Sequence, residues 1–120
     1  MILEDLTVLL SSLQISFATG HFSGTPPDSY VVIIPLADTY DLSADDTPQT
    51  DVQEVRLALY SKGNFYKVRN SICNSLHLNN FTITDRRYIG YETDTEYHHV
   101  AIDVQKHYNL PDCWARTEVN

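Results

Sequence analysis

At 120 residues, with 42% hydrophobic and 20% charged residues, the chain has the size and composition of one globular domain, which excludes a two-core protein, a disordered segment and a fibre. The formal net charge of -8 works against nonspecific binding to DNA or to an anionic membrane, both of which need clustered Lys and Arg. Glu4 and Asp5 stand where a secretory leader carries basic residues, and no apolar run approaches the length of a membrane span, so the expectation is an intracellular, soluble product.

In chain order, Leu3, Leu6, Leu10, Leu13 and Phe17 recur at helical spacing, and the pattern predicts an amphipathic helix over 2–14. "TGHFSGTPPDS", residues 19–29, reads as a surface connection. "YVVIIPL", residues 30–36, is β-branched and apolar on both faces, with Pro35 marking an edge or the end of the ladder. The next strand, "DVQEVRLALY", alternates: Val55, Leu57 and Leu59 face one way, Glu54, Arg56, Ala58 and Tyr60 the other. Phe65, Val68, Ile72 and Leu76 give a second helix over 64–78, ending near Asn79 and Asn80. Two strands follow, "FTITDRRYIGY" and "EYHHVAIDVQKHY", joined by the hairpin turn "ETDTE". Val100, Ile102 and Val104 point inward in the last of them, and His99, Ala101 and Asp103 outward.

The predicted order is therefore α-β-β-α-β-β: an α+β domain over 1–108, with a four-stranded, mainly antiparallel sheet and both helices on one face, followed by a C-terminal arm over 109–120. The opposite sheet face is expected to carry Glu54, Arg56, Tyr60, Arg86, Tyr88, His99 and Asp103. That composition is closer to a protein interface than to plain solvent-facing surface. Trp114, the only Trp, lies in the arm and is expected to dock on its own domain or a neighbour.

Between the first two predicted strands lies "ADTYDLSADDTPQT", residues 37–50, with Asp38, Asp41, Asp45 and Asp46 and no cation. As a calcium loop starting at Asp38 it fails, because Tyr40 holds the third position and Ser43 the sixth, where an EF-hand needs an oxygen ligand and a Gly. As a nuclease centre it pairs with "EVR", Glu54 to Arg56, but Arg substitutes poorly for the Lys that positions an attacking water. Acidic loops of this kind are ordinarily solvated surface. His98 and His99, adjacent in a strand, point to opposite faces and cannot share a metal. Cys73 and Cys113 are far apart with no CxxC, so both read as reduced thiols, Cys73 packed on a helix despite His77 four residues on. No phosphate loop, serine elbow or HExxH occurs. No catalytic, cofactor or metal residue is assigned.

The order of elements, with "PPDSYVVIIPL", the acidic "SADDTP", the strand ending in "LALYSKGNF" and the closing hairpin, resembles the tail completion proteins of long-tailed bacteriophages, also called tail terminators or tail-to-head joining proteins, of the kind found in phages of Gram-positive bacteria. The resemblance covers residues 1–108 and rests on length, order and loop character. It implies a structural virion protein rather than an enzyme, with no cofactor: a subunit of a ring, expected to be a hexamer, that caps the tail tube and joins it to the head connector. Its partners would be other copies of itself, the tail tube protein and the head connector or head completion protein. It would be assembled in the bacterial cytoplasm and reside at the head-tail interface. DNA would pass through without specific binding, and no membrane is involved. Under this reading Asp38, Asp41, Asp45 and Asp46 form the interaction loop, while Arg56, Tyr60, Arg86, Tyr88 and Trp114 form the interaction face and arm. Other readings of the same residues are a head completion protein of the same neck region, a small metal-dependent nuclease-like enzyme, and an acidic adaptor or inhibitor.

Overall fold

Strand length sets the shape of this domain. The structure, a computed structural model, describes residues 1–20, 24–42 and 48–109. Its elements are α1 (Ile2–Ser12), β1 (Ser16–Thr19), β2 (Ser29–Leu42), β3 (Pro48–Ser61), α2 (Phe65–Leu78), β4 (Thr82–Tyr91) and β5 (His98–Asn109). The fold is α+β, but the sheet is five-stranded and mixed, in the order β1-β2-β3-β5-β4, and not four-stranded as the sequence pattern predicts. β1 runs parallel to β2; the other three pairings are antiparallel.

The extra strand comes from a misread helix end. Leu13 and Phe17 continue the helical spacing of α1, yet Gln14 adopts φ 59 and Ile15 N–H closes back on the Leu10 carbonyl, so the helix stops. The chain then runs extended, and Phe17 lies beside Val31 in the sheet, still packed against the core. Alternation over only four residues cannot outweigh a periodicity carried in from the preceding helix.

One core joins both helices to one sheet face. Leu6, Leu9 and Leu10 of α1 and Ile72, Cys73 and Leu76 of α2 cluster with Val31, Ile33, Val55, Leu57, Leu59, Val100, Ile102 and Val104, all buried. The inward parity expected for β3 and β5 is the one observed. The α1 N-terminus is held by Gln53, a buried polar residue of β3: its Oε1 accepts the Ile2 N–H at 2.8 Å, and its Nε2 donates to Asp51 at 2.7 Å. This satisfies one of the donors that a helix start leaves unpaired. Asn80, at φ 66, ends α2 close to where its Asn pair predicts.

The acidic segment departs most from expectation. Residues 37–42 and 48–50 are strand, not loop: Asp38 pairs with Gln53 and Asp41 with Thr50, while a register shift between Pro35 and Ala37 absorbs the proline. The Asp residues of this stretch have low strand propensity and it shows no apolar alternation, so local reasoning reads a loop; pairing with β3 supplies the backbone hydrogen bonds that make a strand. Fourteen strand residues span about 46 Å, whereas the 14 residues of α2 cover only about 21 Å. The ends of β2 and β3 therefore run on as a two-stranded ribbon past the rows that α1 holds, where Gln53 bonds Ile2 and Tyr108 of β5 bonds Asp5, and the molecule measures 53 × 30 × 23 Å. Among the described residues no helix is long and apolar enough to cross a membrane.

Candidate functional site

The sheet face away from the helices is built in cross-strand rows. One row aligns Ile34, Arg56, Asp103 and Asp85, the next Val32, Ala58, Ala101 and Arg87, and the third Tyr30, Tyr60, His99 and Gly90. In the third row Tyr30 stacks on Tyr60 at 5.0 Å between ring centroids and Tyr60 on His99 at 4.3 Å. Tyr97 meets Tyr30 and Tyr60 edge-on, its hydroxyl donates to the Pro27 carbonyl, and the Lys62 ammonium lies 5.0 Å from its ring centre. Partial burial raises the Tyr30 and Tyr60 phenols above their ordinary range. It also lowers the His99 imidazole, with Glu92 pulling the other way and Arg56 adding to the depression.

In the first row, Arg56 grips Asp103 with two bonds, Nε to Oδ1 at 2.8 Å and Nη2 to Oδ2 at 3.1 Å. The hydrogen bonds and charge of Asp103 hold the guanidinium above its usual value. Arg87 pairs with Asp85 on the same face at 2.9 Å. Between the ionic row and the aromatic row, Val32, Ala58 and Ala101 are buried. Small and β-branched side chains there are roofed by their larger neighbours, so much of this face is packed by its own residues. An open concavity of about 390 Å³ remains at its edge, lined by Tyr30, Val32, Ile34, Tyr60, Glu92 and Tyr97.

Arg56 and Tyr60 thus sit on the expected face, but Arg86 and Tyr88 do not. A register shift between Ile83 and Asp85 reverses the parity of β4 until a second shift between Tyr88 and Gly90 restores it, placing Arg86 opposite Ile102 and Tyr88 opposite Val100 on the helix side. There Tyr88 stacks on Phe65 at 5.3 Å, with its hydroxyl 3.0 Å from Nδ1 of His98. Tyr66, Tyr88, Ile89 and Tyr91 form a second, exposed apolar surface along β4 and the start of α2. Asp38 and Asp41 lie on the projecting ribbon; Asp45, Asp46 and Trp114, with His21 and Cys113, lie outside the described residues.

Among the described residues no group of three or more His, Cys, Asp or Glu side chains is placed to hold a metal ion. The parity of β3 sends Asp51 and Glu54 to opposite faces, and Arg56 is engaged by Asp103. His98 and His99 take opposite faces, as adjacent strand residues must, the first against Phe65 and the second against Tyr60. Cys73 is buried in the core cluster.

The sequence reading missed Tyr30, Tyr97 and Lys62 as members of the aromatic group. The available signal was the run "EYHH" beside the turn, but only the register of β2, β3 and β5 shows that Tyr30, Tyr60 and His99 share a row. No protein-family model matches this chain, and neither does any curated protein sequence.

Proposed function

We propose that this protein is a structural subunit of a tailed-phage neck: a tail completion or tail terminator protein that forms a ring, expected to be hexameric, on the tail tube and joins it to the head connector. The observation that carries the reading is the long paired ends of β2 and β3, which bear Asp38 and Asp41 and run on past the rows that α1 holds. An arm of paired strands, fixed at its base by a packed core, suits docking between stacked rings, where a subunit must reach past its own body. The resemblance carried by "PPDSYVVIIPL", "LALYSKGNF" and the closing hairpin supports the same assignment. Carboxylates bordering a channel also give a passing phosphate backbone no counter-charge, in keeping with the -8 balance.

Electron microscopy of particles from a phage or prophage lacking this gene tests the proposal. The expected result is filled heads separate from tails whose ends are unfinished or whose lengths are abnormal. Normally joined particles overturn it. Replacing Asp38, Asp41, Asp45 and Asp46 with Asn and Ser should leave folding intact and weaken joining; unchanged joining removes the role given to the ribbon.

A further inference from the structure

Three loops, residues 24–29, 61–64 and 92–97, meet at one end of the outer sheet face. The Lys62 N–H bonds the Asp28 carbonyl at 2.9 Å, the Tyr97 hydroxyl donates to the Pro27 carbonyl, and the Lys62 ammonium lies 5.0 Å from the centre of the Tyr97 ring. These loops carry four carboxylates, Asp28, Glu92, Asp94 and Glu96, against the one ammonium of Lys62. Of the four, only Glu92 lines the open concavity of about 390 Å³ beside the aromatic row. Asp28, Asp94 and Glu96 are exposed and form no part of its wall.

The wall combines three kinds of group. Tyr30, Tyr60 and Tyr97 supply aromatic surface, Val32 and Ile34 aliphatic surface, and Glu92 the single charge among the described lining residues. Among the described residues the Glu92 carboxylate makes no ion pair and no side-chain hydrogen bond. Its field reaches the row: burial first, and with it the charge of Glu92, holds the Tyr30 and Tyr60 phenols above their ordinary range. Neither cation nearby pairs with it, since Arg56 is gripped by Asp103 and Lys62 stands on the Tyr97 ring outside the wall.

Such a wall complements a cation carried on a hydrocarbon stem. An ammonium or guanidinium is attracted to aromatic rings, and Lys62 on Tyr97 is an instance within this chain. An anion would be repelled by Glu92, and a neutral apolar ligand would cover the carboxylate without giving it a partner. The concavity is open, so a small free cation would keep much of its surface in water, whereas well-held small ligands bury about 70–90% of theirs. A side chain is held in addition by the chain that presents it.

We infer that this concavity seats a basic side chain, Arg or Lys, of a partner protein, its stem along Val32 and Ile34 and its charged head at Glu92. The inference goes beyond the neck reading and does not depend on it.

Titration of the whole protein with N-acetyl-arginine methylamide at low salt, followed by NMR, tests the site. Signals of Val32, Ile34 and Tyr60 should shift saturably with a Kd on the order of 10 mM, as one weak side-chain contact gives. N-acetyl-glutamine methylamide, with a neutral head, should shift none of them. Glu92→Gln should weaken binding about 5-fold, the upper range for an exposed charge pair. Ile34→Lys, at a wall position that is 37% exposed, should abolish binding by placing a competing cation there. Asp94→Asn removes a charge outside the wall and should change binding by less than about 2-fold. Circular dichroism checks that the three variants are folded. The inference is overturned by the absence of saturable shifts up to about 100 mM probe, by equal shifts with the glutamine compound, by unchanged binding in either Glu92→Gln or Ile34→Lys, or by an Asp94→Asn loss as large as that of Glu92→Gln. Tetramethylammonium, which has no stem, should bind more weakly than the arginine probe; tighter binding assigns the concavity to free quaternary amines and overturns the inference as well.

Discussion

Replacing Tyr60 with Ala tests whether the outer sheet face supports the fold or is held open for a partner. Tyr60 is half-buried at the centre of the aromatic row, stacked on Tyr30 and His99 and in edge contact with Tyr97. Each stacked pair contributes about 1 kcal/mol beyond its area. Uncovering half of a large side chain adds about 1 kcal/mol more. Tyr60→Ala should therefore destabilise by about 3 kcal/mol in urea or thermal unfolding, at the low end of aromatic truncations in cores. Tyr60→Phe keeps the ring and should stay within about 0.5 kcal/mol of wild type. A double-mutant cycle with Tyr30→Ala should return a coupling of about 1 kcal/mol, since the two rings touch. If Tyr60→Ala costs less than about 0.5 kcal/mol, the range of surface substitutions that remove no packing, the row contributes no stability and its roofing of Ala58 is irrelevant to the fold.

Leu57→Ala, at a fully buried position on the helix side of β3, should cost about 3 kcal/mol because the core cannot fully collapse around the lost side chain; chemical denaturation measures it. The Arg56–Asp103 pair, with side chains 39% and 14% exposed, should give a coupling of about 1 kcal/mol in a double-mutant cycle, the upper end for a surface pair because the geometry is bidentate, and 1 M salt should reduce it. His99 has a folded pKa below its ordinary 6.5, so the unfolded chain binds the extra proton first. Its contribution to stability is complete above about 6.5 and is lost as the pH falls through that value toward the folded pKa. The melting temperature of His99→Phe should thus fall less than that of wild type between about pH 7.5 and 5.5, the range in which an ordinary His titrates; parallel curves would contradict the assignment.

The residues themselves show where local pattern suffices. Leu6, Leu10, Ile72 and Leu76 mark the buried stripes of two helices, and Val55, Leu57, Leu59, Val100, Ile102 and Val104 mark the buried parity of two strands, because each set repeats over enough residues to define one period. Those stripes are sufficient to predict an α+β domain with one core, and they carry Arg56, Tyr60, His99 and Asp103 to the other face by alternation alone. Three features were not legible. β1 is too short for its alternation to compete with the spacing continued from α1. The strand character of Asp38 and Asp41 arises from pairing with Gln53 and Thr50 and not from their own propensity. The faces taken by Arg86 and Tyr88 depend on a bulge, where one extra residue reverses the side chains that follow until the next shift restores them.

The sequence by itself determined the charge of each segment and the buried stripes of α1, α2, β3 and β5, since composition and period are local properties. Only the tertiary structure decided that residues 37–42 and 48–50 pair as strands, that Tyr30, Tyr60 and His99 meet, and that Arg86 and Tyr88 turn to the helix side. Register and strand order are relations between distant residues, set by hydrogen bonds and packing that no single segment contains.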